Sequence, residues 1–165
     1  MLNLTRREAV LAAIGATALA VPALADKSKE KNQEGLDAVR DLLKAHNDAF
    51  TSQDLEGVMA TLSHECVIMG TAPGELWGGH KEIIEAYRHF FEDFDKGKQT
   101  FETLWHDGNV GPAGAWMMSV SKVTMTKGTD TKEFGLNLSV TCEKHKGQWK
   151  IRAMHFSNLT GAVGA

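Results

Sequence analysis

The C-terminal stretch Gly147-Gln148-Trp149-Lys150-Ile151-Arg152-Ala153-Met154-His155-Phe156-Ser157 has the alternating pattern of a β-strand. Successive side chains of a strand point to opposite faces, so a period of two places five of these residues on one face: Trp149, Ile151, Ala153, His155 and Ser157. That face begins aromatic and aliphatic and ends with an imidazole and a hydroxyl. We therefore predict a strand that crosses a core and ends at the mouth of a pocket, with His155 and Ser157 as candidate catalytic residues. The alternative is a core histidine bonded to a backbone carbonyl, with Ser157 satisfying the end of the strand.

The same period of two runs through the chain from Gly97 onward. It predicts four strands, at residues 100–105, 115–126, 132–144 and 149–157. We expect Asp107 and Gly108 to lie in the loop between the first two of these strands.

Upstream of Gly97 the apolar residues recur at helical spacing. The pattern predicts a first helix at residues 36–50, a short second helix capped by Asp54, and a third helix after Gly79. A hairpin at residues 66–77 separates the second helix from the third. This order of elements is typical of an α+β fold, with three helices packed across the concave face of a curved antiparallel sheet.

The first 25 residues have the pattern of an export signal. Residues 1–7 are basic, residues 9–19 are mildly apolar, and Ala23-Leu24-Ala25 forms a small-x-small cleavage site. Residues 5–11 resemble the twin-arginine export motif. A general secretory signal with two adjacent arginines is the alternative. We expect a periplasmic or secreted protein, exported by the twin-arginine route.

The predicted mature chain, residues 26–165, has three parts. A flexible linker is expected at residues 26–35, a single domain at 36–160 and a C-terminal tail at 161–165. The net charge of -3 gives no reason to expect nucleic acid as a partner, or a membrane surface after removal of the signal. Cys66 and Cys142 are too few for a disulfide framework, and whether they pair stays open.

Four stretches of the predicted domain together resemble the SnoaL-like branch of the nuclear transport factor 2-like superfamily. They are residues 46–55, 70–79, 147–149 and 154–157. The resemblance implies a cone-shaped, cystatin-like half barrel with a pocket between helices and sheet, and a homodimer formed through the sheet. The superfamily includes isomerases, hydrolases, dehydratases and non-catalytic association modules, so the fold alone does not select a function.

A polar row on the third predicted strand is a candidate part of the pocket. Asn137, Ser139 and Thr141 alternate there with apolar residues. In the ordinary arrangement such a row faces water, and periodicity leaves the choice open. The resemblance favours the pocket, because relatives carry polar residues on this strand that face it. The row would then join His155 and Ser157 in a ring of neutral hydrogen-bonding groups.

Further candidates for ligand binding come from the helices, the hairpin and the second predicted strand: His46, Phe50, Glu75, Trp77, Tyr87, Trp116 and Met118. Simple core packing is the alternative for most of them, but a buried Tyr87 needs a partner for its hydroxyl. His46, Glu75 and His155 could form a two-histidine, one-carboxylate metal site. No i, i+3 or i, i+4 spacing links these three, so we predict no metal and no cofactor.

Two named activities can be compared with the sequence. Ketosteroid isomerase chemistry requires an aspartate base where this chain has Met69-Gly70-Thr71. Iota-class carbonic anhydrases resemble this chain in fold, in the export signal and in Gly-x-Trp before the last strand. Of their His-His-His-Ser-Ser run, however, only His155 and Ser157 match.

We predict a pocket that binds a small organic molecule, and turnover of that molecule stays open. The chemistry expected is metal-free proton transfer or hydration, with His155 as the base and Ser157, Tyr87 or Ser139 as donors. A carbonic anhydrase-like enzyme with a degenerate last-strand motif and a non-catalytic dimerisation module are the alternatives.

Overall fold

The computed structural model describes the backbone of residues 21–158 and the side chains of residues 32–158. In chain order the elements are α1 (Val21–Thr51), α2 (Leu55–Thr61), β1 (Leu62–Met69), β2 (Leu76–Gly78), α3 (Gly79–Phe90), β3 (Gln99–Val110), β4 (Gly114–Lys127), β5 (Asp130–His145) and β6 (Gln148–Asn158). The predicted signal peptide up to residue 20 and the predicted tail lie outside the described residues.

The six strands form one curved sheet in the order β2-β1-β6-β5-β4-β3. β1 and β6 run parallel, and the other neighbouring strands are antiparallel. The helices pack on the concave face of the sheet, and the largest fully buried apolar side chains include Val39, Ile68, Ile83 and Ile151. The predicted α+β class is confirmed. Of the described helices, none is long and apolar enough to cross a membrane.

The segment predicted as a flexible linker, residues 26–35, is instead part of α1. Gly35 lies directly against β3, since a Cβ at this position would come within 2.6 Å of Cγ1 of Val110. The side-chain oxygen of Asn32 accepts a hydrogen bond from the Val110 backbone N–H at 3.2 Å. These contacts with β3 involve a residue far away in sequence, which local composition cannot reveal.

The turn between α1 and α2 holds α3 in place. Asp54 caps α2, as predicted, by accepting a hydrogen bond from the Gly57 N–H at 3.0 Å. Gln53 donates its amide N–H groups to the carbonyls of Phe91 and Phe94 at 2.8 and 2.9 Å. The start of α2 and the end of α3 are therefore fixed to each other, and both border the space above the sheet.

Strand β3 is longer than predicted and contains a bulge. Asp107 and Gly108, expected in a loop, are paired with β4. The pairing skips Leu104, so that two residues of β3 lie opposite one residue of β4. As a result Thr103 and His106, three residues apart, both face the concave side.

A second bulge lies at Arg152 in β6. Ile151 pairs with Cys142, whereas Ala153 pairs with Thr141, and Arg152 is the extra residue. Ile151 is fully buried in the core on the concave side. After the bulge the alternation changes, and residues 153, 155 and 157 face the opposite, convex side. The prediction of one continuous face along this strand is therefore wrong.

Candidate functional site

An aromatic chamber of about 360 Å³ lies between the helices and the concave face of the sheet. Six aromatic residues line it: Phe50, Tyr87, Phe90, Phe101, Phe134 and Phe156. Phe50 and Tyr87 contact each other edge to face, with ring centroids 5.6 Å apart. Such a lining is suited to a flat or apolar ring.

A chain of hydrogen bonds connects Tyr87 to α2 through His46. The Tyr87 hydroxyl lies 2.8 Å from Nε2 of His46, and Nδ1 of His46 lies 2.7 Å from the Thr61 hydroxyl. Thr61 donates its own proton to the Val58 carbonyl at 2.6 Å, so it can only accept from His46. We infer that His46 carries its proton on Nδ1 and that Nε2 accepts from the Tyr87 hydroxyl.

Burial keeps both members of the His46–Tyr87 pair uncharged at neutral pH. It lowers the pKa of His46 to about 4. Burial also raises the pKa of Tyr87 well above its usual value, and the neighbouring Cys66 adds to this effect. The pair is therefore a neutral donor and acceptor, and the phenol oxygen keeps a lone pair for a ligand.

The mouth of the aromatic chamber is acidic. Glu75 and Asp93 line it, together with the amide of Asn158. Glu75 is held in the β1–β2 turn, because its carboxylate accepts a hydrogen bond from the Ala72 N–H at 2.8 Å. No lysine or arginine lines the part of this chamber that the structure describes.

A second chamber of about 540 Å³ continues the cleft between α1 and strands β3–β5; we call it the hydroxyl chamber. Its sheet side carries Thr103, Ser119 and Ser121, and its helix side carries Arg40 and Lys44. The two chambers share a wall formed by Asn47, Gln99, Phe101, Leu136 and Phe156.

Gln99 is the most unusual residue of this shared wall. It is only 6% exposed, and its side-chain oxygen is buried without a hydrogen-bond partner among the described residues. Buried polar atoms are normally paired, because the loss of water is otherwise uncompensated. An unpaired acceptor between two chambers is a candidate contact for a ligand.

Four of the predicted ligand-binding residues line the aromatic chamber: His46, Phe50, Glu75 and Tyr87. Trp77 lies outside its lining and packs edge to face on Phe90, with ring centroids 5.4 Å apart. Trp77 is therefore a core-packing residue, which was the alternative considered for it. The structure thus brings together the predicted residues of the first and third helices and of the hairpin.

The other seven predicted residues lie on the convex face: His155, Ser157, Asn137, Ser139, Thr141, Trp116 and Met118. Their expected position in the pocket is wrong. His155 and Ser157 face outward because of the bulge at Arg152. On β5 the apolar row takes the concave side, as in the ordinary arrangement of a half-exposed sheet. The set of His46, Glu75 and His155 is therefore not assembled.

Residues 32–158 contain no group of three histidine, cysteine or acidic side chains close enough to hold a metal ion. Cys66 and Cys142 are both buried free thiols. Burial raises the pKa of Cys66 to about 11 and that of Cys142 to about 12, so neither is a reactive thiolate at neutral pH.

Several residues of the cleft were missed in the sequence. Thr61 and Gln99 contribute through contacts with distant parts of the chain, which no local pattern reveals. Ser119 and Ser121 did leave a signal, since they share the alternation of Met117 and Val123, which are buried. Two serines in an otherwise core-facing row indicate a polar cavity rather than a filled core.

The family of the chain follows from its sequence match. Residues 39–161 match the SnoaL-like domain, which is most of the chain. The chain belongs to the SnoaL-like domain family. No curated protein matches its sequence.

Solved structures similar to this SnoaL-like domain have the same fold at low sequence identity. A proposed dehydratase of the nuclear transport factor 2-like family from Streptomyces avermitilis is 12% identical, with a TM-score of 0.67 over 79% of this chain and 99% of that one. A ketosteroid isomerase-like protein from Erwinia carotovora atroseptica is 22% identical, with a TM-score of 0.63 over 78% and 98%. A proposed calcium/calmodulin-dependent protein kinase II association domain from Xanthomonas campestris is 17% identical, with a TM-score of 0.66 over 75% and 87%.

Proposed function

We propose that this SnoaL-like domain binds a small organic molecule in the aromatic chamber and that His46 and Tyr87 transfer a proton to and from it. The observation that carries the proposal is the 2.8 Å hydrogen bond from the Tyr87 hydroxyl to Nε2 of His46 inside an aromatic cavity. This pair takes the place of His155 and Ser157, which face away from the chamber.

The proton would move in two coupled steps. The ligand gives a proton to the phenol oxygen of Tyr87, while the phenol proton passes to Nε2 of His46. The ligand becomes an anion and His46 an imidazolium, whose Nδ1–H stays bonded to Thr61. Because burial lowers the pKa of His46 to about 4, this imidazolium returns its proton readily. Return to a different ligand atom is an isomerisation, and return to a departing hydroxide is a dehydration.

Native mass spectrometry of the chain purified from its own cells tests this proposal. We expect a discrete extra mass that is lost on denaturation. Tyr87→Phe keeps the aromatic ring but removes the hydroxyl, and should lower the bound fraction about tenfold through the loss of one buried hydrogen bond. Ser139→Ala on the convex face is the matched control and should retain the mass. Equal retention by Tyr87→Phe would contradict the role of the pair.

Carbonic anhydrase-like activity is the second candidate, and one feature of the convex face favours it. His155 and Ser157 lie there beside Ser139 and Asn137, and the Asn137 amide donates to the Ser157 hydroxyl at 3.3 Å. A measurable rate of CO₂ hydration that His155→Ala abolishes would support this candidate over the chamber chemistry.

We also propose that a second copy of the chain covers the convex face. Five apolar side chains are 37–58% exposed around one groove: Val67, Met69, Leu76, Trp116 and Met118. Among the described residues, His155 is the one titratable residue that lines this groove. Large exposed apolar surfaces of this kind mark interaction sites. A non-catalytic association module would act through the same surface.

Sedimentation velocity tests the dimer. The wild-type chain should sediment as a dimer and Trp116→Glu as a monomer, because a carboxylate in the apolar groove is costly to bury. His89→Glu is the control, since His89 is exposed on α3 and the substitution adds the same carboxylate on the helix side of the sheet. A monomeric wild-type chain contradicts the proposal.

Export by the twin-arginine route is a further proposal, supported by the sequence of residues 1–25. Fusion of these residues to a reporter that folds only in the cytoplasm should give active exported reporter. Replacement of Arg6 and Arg7 by lysine should retain the reporter in the cytoplasm. Continued export of the lysine variant would favour the general secretory route.

A further inference from the structure

The sheet side of the hydroxyl chamber carries three hydroxyls between its apolar side chains, where a sheet that packs under helices is ordinarily apolar throughout. Thr103 and Ser121 are direct neighbours across β3 and β4, and Ser119 pairs with His106 on the same face. These hydroxyls line open space next to Leu136 and Leu138. None of the three is hydrogen-bonded to another side chain in the described part of the chain. Their donors and acceptors are available to a ligand.

The bulge at Leu104 adds an imidazole to this row, because it brings His106 to the same face as Thr103. An arginine can only donate, so Nε2 of His106, 3.4 Å from the Arg40 guanidinium, is the acceptor of that contact. The proton of a neutral His106 then lies on Nδ1, which supplies a further donor at the rim of the chamber.

The charges of the cleft disfavour an anionic ligand. Arg40 pairs with Asp37 at 2.8 Å, and Lys44 pairs with Asp48 at 2.6 Å, so the two cations that line the hydroxyl chamber among the described residues already have carboxylate partners. The aromatic chamber has an acidic mouth and the neutral His46–Tyr87 pair in its wall. An uncharged ligand is compatible with all of these groups.

The two chambers lie next to each other, because the residues of the shared wall line both of them. Gln99 lines the two of them, and its buried oxygen lacks a partner among residues 32–158. A donor on a ligand that crosses this wall would satisfy that oxygen. The chamber volumes of about 360 and 540 Å³ are each large enough for a ring-sized group.

We infer that the two chambers bind one uncharged, two-part ligand, with an apolar ring in the aromatic chamber and a hydroxyl-rich group in the hydroxyl chamber. The inference rests on the proposed small-molecule function and adds the class of ligand. An aryl glycoside has this chemistry, because it joins a flat apolar ring to a neutral polyol.

Calorimetric titration of the full chain with four probes tests the ligand class. The probes are phenyl β-D-glucoside, methyl β-D-glucoside, anisole and phenyl β-D-glucuronide. Phenyl glucoside should bind at least tenfold more tightly than methyl glucoside or anisole, because each of those two fills only one chamber. Phenyl glucuronide has the same shape with an added carboxylate, and should bind at least tenfold more weakly than the glucoside.

A pair of double variants locates the binding. Ser119→Ala with Ser121→Ala should weaken phenyl glucoside about tenfold and leave anisole unchanged. Ser139→Ala with Thr141→Ala removes two hydroxyls from the convex face and should change neither affinity. If the first double variant does not fold, Thr103→Val on the edge strand repeats the test.

The outcomes separate this inference from the proposed function. If anisole binds and phenyl glucoside binds no more tightly, the two-part ligand is wrong, while the aromatic chamber stands. If the glucuronide binds more tightly than the glucoside, the uncharged class is wrong. If none of the four probes binds, the inference is overturned, and the co-purifying mass in native mass spectrometry decides the proposed small-molecule pocket separately.

Discussion

The two β-bulges of this SnoaL-like domain differ in position and in effect. The bulge at Leu104 lies in β3 at the edge of the sheet, whereas the bulge at Arg152 lies in β6 between β1 and β5. In β3 the extra residue brings Thr103 and His106 to the same face. In β6 it places Ile151 and His155 on opposite faces, although they are four residues apart.

This difference shows that alternation along a strand predicts the face on which a side chain lies only as far as the next bulge. One extra residue shifts the later part of the sequence by one position relative to the cross-strand pairing, so that simple alternation then assigns a later histidine to the wrong face. His106 therefore lies on the concave face, in the cleft, whereas His155 lies on the convex face. A histidine that follows a bulge therefore has to be assigned from its cross-strand partner, not from its position in the sequence.

The strongest test of this assignment exchanges two adjacent residues of β6 for the same polar side chain. Met154→Gln should lower the free energy of unfolding by about 3–5 kcal/mol, because it removes a core side chain and buries an unpaired amide. His155→Gln should change stability by at most about 0.5 kcal/mol when both substitutions are made in the monomeric Trp116→Glu variant, since the side chain is exposed in the single chain. Denaturant unfolding at one fixed protein concentration measures both values.

The reverse order of the two effects would mean that His155, not Met154, faces the core. Val140→Gln and Thr141→Gln on β5 repeat the comparison, because these residues pair with Met154 and Ala153 and lie on the concave and convex faces. Strand β5 carries no extra residue in its pairing with β6, whereas Met154 and His155 both follow the bulge at Arg152. If the concave substitution is the more destabilising one on both strands, the result does not depend on the bulge in β6.

Much of the fold could be predicted from the sequence, because helix and strand periods are local properties. The three helices, the hairpin and the four later strands all exist, and the Asp54 cap is present. The early start of α1 was missed, since Gly35 and Asn32 contact Val110, a distant residue of β3. The bulges were missed because an inserted residue such as Arg152 has no sequence signal of its own.

The second test concerns the one histidine of the cleft that is buried. His46 has a lowered pKa of about 4 in the folded chain, against 6.5 for an ordinary histidine. Below pH 6.5 the unfolded chain therefore binds more protons than the folded chain, and stability falls as the pH falls from 6.5 to 4. The full loss is about 3 kcal/mol, and it levels off below pH 4.

His46→Gln is the comparison for this pH dependence. Glutamine can still contact Tyr87 and Thr61 but does not titrate, so the variant should lack this part of the pH dependence. The difference in unfolding free energy between wild type and variant, measured from pH 7 to pH 4, removes the contribution of all other groups. Parallel curves would contradict a neutral, buried His46.

The site was predicted only in part, for a related physical reason. His46 and Tyr87 could be singled out because each is a polar residue on the apolar stripe of a helix. Their hydrogen bond joins residues 41 apart, so it depends on how α1 and α3 pack. Gln99 carries no local signal, because its importance comes from an atom left unpaired after folding.

The smallest expected effects come from deletion of the bulged residues themselves. The residues on both sides of each bulge are paired in regular register. Removal of the extra residue should keep these pairs, so each side chain should stay on the same face of the sheet. Deletion of Arg152 should cost about 2 kcal/mol, because a central strand is perturbed and ion pairs to Glu65 and Glu143 are lost. Deletion of Leu104 on the edge strand should cost about 1 kcal/mol or less.

Unfolding free energies, together with a nuclear Overhauser contact between His106 and Ser119, check these deletions. The contact should survive in the Leu104 deletion, because the two residues are cross-strand partners. Arg152→Ala controls for the side chain and should cost at most about 1 kcal/mol, since its ion pairs are exposed. A larger cost at Leu104 than at Arg152, or loss of the His106 contact, would mean that the bulge itself aims the side chain. Survival of the contact would mean that cross-strand pairing determines on which face of the sheet a side chain lies. The bulges would then only change which residue of the sequence occupies each paired position.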